Sequence, residues 1–199
     1  MKKNIPPILA VCCSTAVLAL APERGRACGS NAAVITNLPA IDQTSYQVYG
    51  LGSKGQVTGF SVVPGVHGPQ GFILDGGSLS SPGTLGGPNS VGYAINAKGQ
   101  LTGQADLDSL GHSHAFLYSG GVLSDLGTLG GASSSGLLIN DNGQVAGWSL
   151  PASGSDTLAF LYSNGSLLNL GTLGGTYSYS YGLNNHGAVA GESTLANGD

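Results

Sequence analysis

Apolar residues along this chain come in short runs broken by Gly, Asn and Ser, and they never sustain a helical period. In the most regular stretch the runs are residues 134–139, 144–149, 157–162 and 166–170. Runs of this length, bounded by turn formers, predict β-strands. Fifteen such strands fit in the chain beyond its amino-terminal leader.

The joints between runs are equally patterned. Asn96, Asn140 and Asn184 each precede a glycine by three residues, at Gly99, Gly143 and Gly187. Asn caps its own turn and Gly takes positive φ, so these segments predict hairpins with a bulge. Ser119-Gly120-Gly121 and Ser163-Asn164-Gly165 predict a second, tighter hairpin. Local sequence therefore specifies meandering antiparallel strands.

The pattern repeats. GTLGG occurs at residues 83–87, 127–131 and 171–175, a step of 44 residues each time. Gly55, Gly99, Gly143 and Gly187 keep the same step, as do Phe72, Phe116 and Phe160. Residues 35–50 align with 167–182 as a degenerate opening copy, followed by units 51–94, 95–138 and 139–182 and a partial unit 183–199. One small four-stranded unit cannot bury both faces, so neighbouring units must share a core. The shared core is expected from Val57, Leu101, Val145 and Val189, the three Phe, Leu79, Leu123 and Leu167, and Leu85, Leu129 and Leu173.

These features predict an all-β fold of tandem 44-residue, four-stranded antiparallel repeats. Unit length and strand number point to a β-propeller-like arrangement, as a complete or incomplete ring. A β-solenoid is the alternative, but its stacked parallel strands fit the hairpin signals less well.

Composition changes the picture mainly through the first residues. Lys2 and Lys3 precede a largely apolar stretch that ends at Pro22, Glu23 and Arg24, so residues 1–27 read as a signal peptide and short linker and 28–199 as the repeat domain. Ala21 and Ala27 are candidate cleavage positions. The protein is expected to be secreted or extracellular, with association to the cell surface left open, and not integral to the membrane. Beyond residue 27 the bases are Lys54 and Lys98, against eight Asp and Glu192. An acidic chain without a basic patch argues against nucleic acid as a partner. Cys28 alone remains after the leader, so no intrachain disulfide is expected.

Candidate chemistry is sparse. Asp106, Asp108, His112 and His114 form the densest group of titratable side chains, D-x-D followed by H-x-H in a loop between strands. The equivalent stretches, residues 62–67 and 151–155, carry no matching acids, and no EF-hand pattern is present. No catalytic, cofactor or metal site is assigned; the four residues are instead a candidate ligand-facing loop. The GTLGG segments lack the Gly-Lys-Ser/Thr ending of a phosphate loop and read as tight crossovers. Tyr46, Tyr49, Trp148, Tyr177, Tyr179 and Tyr181 are placed either to stack on sugars or to fill a strand face. Loops 62–70, 106–114 and 150–156 vary while their flanking strands repeat, as expected of a constant scaffold with changeable ends.

The segment HAFLYSGGVLSDLGTLGGASSSGLLINDNGQVAGWS, residues 114–149, resembles the extracellular HAF-repeat family of bacteria. The resemblance covers residues 35–193 and rests on HAF, DLGTLGG and INxxGQVxG in order. It implies a secreted or surface-exposed repeat protein and no particular activity. Only His114 keeps the His of the motif, Gln70 and Leu158 standing in the other copies, and Ala105 stands where Ser61, Ser149 and Ser193 occur. The expected function is a non-catalytic interaction or adhesion scaffold for a glycan or cell-surface component. The alternative is a secreted propeller-type hydrolase or lyase acting on a polysaccharide, which requires acids and His from several units to converge.

Overall fold

A computed structural model describes residues 45–62, 65–152, 154 and 156–196. The expected leader, Cys28 and the opening copy as far as residue 44 lie outside the described residues.

The described chain is all-β. Strands β1 (Ser45–Leu51), β2 (Val57–Val62), β3 (Pro69–Asp75) and β4 (Ser78–Ser80) form a four-stranded antiparallel sheet in sequence order. An eight-stranded sheet contains β5 (Ser90–Ile95), β6 (Leu101–Asp106), β7 (Ser113–Ser119), β8 (Val122–Gly127), β9 (Gly130–Ile139), β10 (Val145–Pro151), β11 (Leu158–Ser163) and β12 (Ser166–Asn169). Its two halves, β5 to β8 and β9 to β12, are antiparallel meanders, and the one strand pairing between them among the described residues is the parallel pair Ser113–Ser133. Strands β13 (Gly174–Leu183) and β14 (Val189–Leu195) make a two-stranded sheet. No helix among the described residues is long and apolar enough to cross a membrane.

Local chemistry explains the turns. Between β5 and β6, Asn96 Oδ1 accepts from the backbone N–H of Lys98 at 2.9 Å and of Gln100 at 3.0 Å, while Gly99 closes the turn at φ 76°. Asn140 and Asn184 repeat this arrangement. The tighter hairpin between β11 and β12 puts Asn164 and Gly165 at φ 51° and 82°, the two positive values a type I′ turn demands.

Strand β9 begins at Gly130, four residues before the run that hydrophobicity predicts, because the GTLGG glycines enter the strand. The corresponding strand β5 starts only at Ser90. Pro88 lies just before it and has no N–H to give a ladder.

Each hairpin of the β1–β2 type carries a bulge. In β1–β2, β5–β6, β9–β10 and β13–β14 the register shifts by one residue, leaving Tyr49, Tyr93, Leu137 and Tyr181 as the extra residues. On the partner strands, a side chain at Gly59, Gly103, Gly147 or Gly191 would collide with the carbonyl of Gln47, Val91, Ser135 or Tyr179. Glycine is required there by close approach of two backbones.

The core sits between successive meanders. Phe116 packs with Ile73, Ile95, Leu101 and Ala105, and Phe160 with Ala115, Leu126 and Val145. Phe72, Phe116 and Phe160 are fully buried, each contributing on the order of 2–3 kcal/mol by removal from water. Three residues expected in this core are not in it: Leu79 is 46% and Leu173 69% exposed, and Val189 is only half-buried beside an open groove. Leu79 lies on the short strand β4, whose three residues are all exposed. Leu173 corresponds to Leu129, which packs against the Phe160 cluster, but no described Phe stands in the equivalent place beyond β14.

Polar ties reinforce these contacts. Buried Ser90, Ser134 and Ser178 accept the backbone N–H of Gly71, Ala115 and Ala159 at 2.9, 2.8 and 2.9 Å, each from the preceding meander. Ser149 and Ser193 Oγ accept from Leu129 and Leu173 N–H, both at 2.8 Å. Ala105 occupies the place of these serines and forgoes the bond.

Candidate functional site

Antiparallel alternation puts the loops after β2, β6 and β10 at one end of the strands and the Asn turns at the other. At the loop end the GTLGG glycines pass directly beneath the loops. A side chain at Gly86 or Gly87 would strike the Leu107 and Asp108 backbone, and one at Gly131 the Leu150 carbonyl. The motif is used for close packing of two backbones.

The four candidate loop residues are held in three separate local pairs. Asp106 Oδ2 accepts from Asn89 Nδ2, and its backbone bonds Asn89 and Gly87 at 2.9 Å, tying loop to crossover. Asp108 caps the loop from within: Oδ1 accepts from Leu110 N–H at 2.8 Å, and Oδ2 lies 2.7 Å from His112 Nδ1. The His112 bond, followed by the backbone N–H groups of Leu110 and His112, holds the Asp108 carboxyl below its ordinary pKa. His114, on β7, faces away to Asp125 on β8, Nδ1 lying 2.9 Å from both carboxylate oxygens. Asp125 Oδ1 is further occupied by Gly127 N–H at 2.7 Å. The four residues thus do not converge on one point. Among the described residues no group of three His, Cys, Asp or Glu is placed to hold a metal ion.

The aromatic candidates separate by burial. Trp148 sits mid-sheet on β10, between Ser135 of β9 and Ala159 of β11. Tyr177, Tyr179 and Tyr181 alternate along β13, with ring centroids 5.9 Å and then 6.5 Å apart and the last two rings within 11° of parallel. Tyr177 and Tyr181 are exposed, at 38% and 63%. Their neighbours Ser178 and Ser180 point the other way and are buried, Ser180 Oγ donating to Gly147 O at 3.2 Å. Tyr181 donates its hydroxyl proton to Glu192 Oε1 at 2.7 Å, which raises the phenol pKa and fixes the ring. A second pair, Tyr49 and Tyr93, meets at 5.3 Å between β1 and β5. There burial, and then the neighbouring Tyr49, raise the Tyr93 pKa.

The opposite end holds a feature that sequence reasoning missed. Asn142, Gln144, Ser163, Asn164, Asn185 and His186 line a polar cleft of about 270 Å³ between the β9–β10 and β13–β14 turns. Beneath it, Asn96 Nδ2 donates to Asn140 O and Asn140 Nδ2 to Asn184 O, both at 2.8 Å. The 44-residue recurrence of these Asn was visible, but their reading as self-contained caps hid the bonds between turns.

No protein-family model, curated protein or solved structure matches this chain. What it does must be inferred from its own surfaces.

Proposed function

We propose that this is a secreted or cell-surface repeat protein acting as a non-catalytic interaction scaffold, with a glycan or another cell-surface component as its partner. Its organisation is proposed as tandem 44-residue, four-stranded units in a propeller-like arrangement. The 44-residue steps between hydrogen-bonded Asn turns and between packed Phe support that arrangement. Membership of the HAF-repeat family and export through residues 1–27 belong to the same proposal and rest on the sequence motifs.

The observation that carries the reading is the exposed tyrosine row on β13. Flat aromatic rings held on a strand, with hydroxyls able to reach polar groups, suit a sugar face with its ring hydrogens and hydroxyls. The loop acids and histidines, by contrast, are engaged in structural pairs: Asp108 with His112 inside the loop, Asp106 with Asn89 of the crossover and His114 with Asp125 on β8.

The test is a glycan and cell-wall polysaccharide array probed with the mature chain. Binding that is retained when residues 107–112 are replaced by Gly and Ser, and lost in the Tyr177→Ala/Tyr179→Ala/Tyr181→Ala variant, is the expected result. Loss on loop replacement with the tyrosine variant unaffected would move the site to the loop. Release of new reducing ends from a polysaccharide would overturn the non-catalytic reading.

A further inference from the structure

The described residues hold two Asn-Gly dipeptides, Asn142-Gly143 and Asn164-Gly165. Asn before Gly is prone to ring closure, because no Cβ shields the glycine nitrogen from the asparagine carboxamide. Both asparagines are exposed, so exposure does not separate them. Their hydrogen bonds do.

Asn142 is tethered on every side. Its Nδ2 donates to Asn185 O at 2.6 Å and its N–H to Asn140 Oδ1 at 3.0 Å. The N–H of Gly143, whose nitrogen would have to attack, donates to Asn140 O at 3.0 Å. Asp141, next in line, is bonded to Ala97 of the preceding turn and to Asn185 of the following one.

Asn164 sits at the tip of the β11–β12 hairpin, beyond the closing pair Ser163–Ser166. Among the described residues neither its carboxamide nor the Gly165 N–H makes a hydrogen bond. At φ 51° it is also the one non-glycine residue with positive φ among them. Ring closure requires it to leave that conformation, and what holds the turn shut is β12, an edge strand of four residues of which three are exposed. The equivalent tip, Gly120-Gly121, is exposed with a complete meander on either side, so the position is open by its place in the repeat.

We propose that Asn164 is a site of spontaneous deamidation and that Asn142 is protected from it. The Gly165 nitrogen gives up its proton and bonds to Asn164 Cγ; the Cγ–Nδ2 bond breaks and Nδ2 leaves with a proton as ammonia. Water then opens the succinimide at either carbonyl, leaving aspartate or isoaspartate, and nothing is oxidised or reduced. Either product puts a carboxylate on the cleft that Asn164 lines with Gln144, Asn185 and His186. Isoaspartate also lengthens the backbone of a two-residue turn, which spoils the pairing that brings Leu167 to the Phe160 cluster. The inference rests on neither the tyrosine row nor the glycan reading.

The folded mature chain, held in mildly alkaline buffer beside the same chain in urea and followed site by site by peptide mapping with mass spectrometry, tests it. In the folded chain Asn164 should convert at least about tenfold faster than Asn142, because freeing the Asn142 pair breaks two or more additional hydrogen bonds. In urea the two rates should come together. Chains carrying isoaspartate at 164, separated by ion exchange, should unfold at lower denaturant than unconverted chains. Equal rates at the two sites in the folded chain, faster conversion at Asn142, no conversion at Asn164 while the urea sample converts, or an unmoved midpoint for the isoaspartate chains would overturn the proposal.

Discussion

Asn96 and Asn140 are joined by a 2.8 Å hydrogen bond from a side-chain amide to a backbone carbonyl, across 44 residues of chain. Asn140 repeats the bond to Asn184, while its Oδ1 closes its own turn on Asn142 and Gln144 N–H. One carboxamide therefore caps a turn and ties it to the next.

Asn140→Ala removes every bond made by its side chain at a buried position, keeps the Asn96 bond to its backbone carbonyl, and leaves the Gln144 carboxamide and the Asn184 carbonyl short of a donor. We expect a loss of about 2 kcal/mol, since a typical intramolecular hydrogen bond contributes about 0.5–1.5 kcal/mol and several are lost together. The shift in chemical denaturation midpoint at unchanged slope measures it.

Gly52→Asn should do the opposite. Gly52 holds the place of Asn96, and its turn closes in the same way, Gly52 N–H to Gln56 O at 2.8 Å. Without a carboxamide there, Gln56 Oε1 is buried with no partner, whereas Gln100 Oε1 receives Asn96 Nδ2 at 2.8 Å. The new side chain displaces only the mobile end of Gln56. A gain of about 1 kcal/mol is expected from one restored hydrogen bond, read as a higher midpoint in the same denaturation series.

Gly147→Ala drives a Cβ into the Ser135 carbonyl and the backbone of Gly136. Overpacking against backbone has no rotamer escape, so a loss of at least about 2–3 kcal/mol is expected. Gly154→Ala, with open space around it, is the control and should leave stability unchanged.

Asp141 supplies a pH dependence. Its Oδ1 accepts Ala97 N–H at 3.0 Å and its Oδ2 the Asn185 amide at 3.1 Å. The Ala97 bond, then the Asn185 bond and the charge of Lys98, lower its pKa below the ordinary 3.8. A lowered folded-state value means the stabilisation is fully present above 3.8 and is lost as pH falls through the lowered value. Carbon-detected titration of Asp141 should give a midpoint below that of the unfolded chain, and Asp141→Asn should flatten the stability curve on its acid side. Coincident midpoints in folded and unfolded chain would contradict the tie.

How far the fold was legible depended on how local its causes are. The Asn96–Gly99 and Asn164–Gly165 turns were readable because cap and positive φ reside in adjacent residues. The Phe series was readable because its period repeats without slippage. Leu79 and Leu173 were misplaced because burial depends on what lies over a residue, which periodicity does not report. The cluster from Asp106 to His114 looked dense in sequence, yet Asp106 turns to Asn89 and His114 to Asp125. The buried serines at 90, 134 and 178 went unnoticed since serine reads as a surface residue until its backbone partner is known. The tyrosines of β13 were named as candidates, but only the bulged pairing with β14 places the buried serines on one face and the rings on the other.

The scaffold reading is tested most directly by retention on insoluble cell-wall polysaccharide. The mature chain should be held and eluted intact without releasing sugar fragments, and the Tyr177→Ala/Tyr179→Ala/Tyr181→Ala variant, equally stable, should wash through. Equal retention of the two chains, or the appearance of soluble sugar fragments, would contradict it.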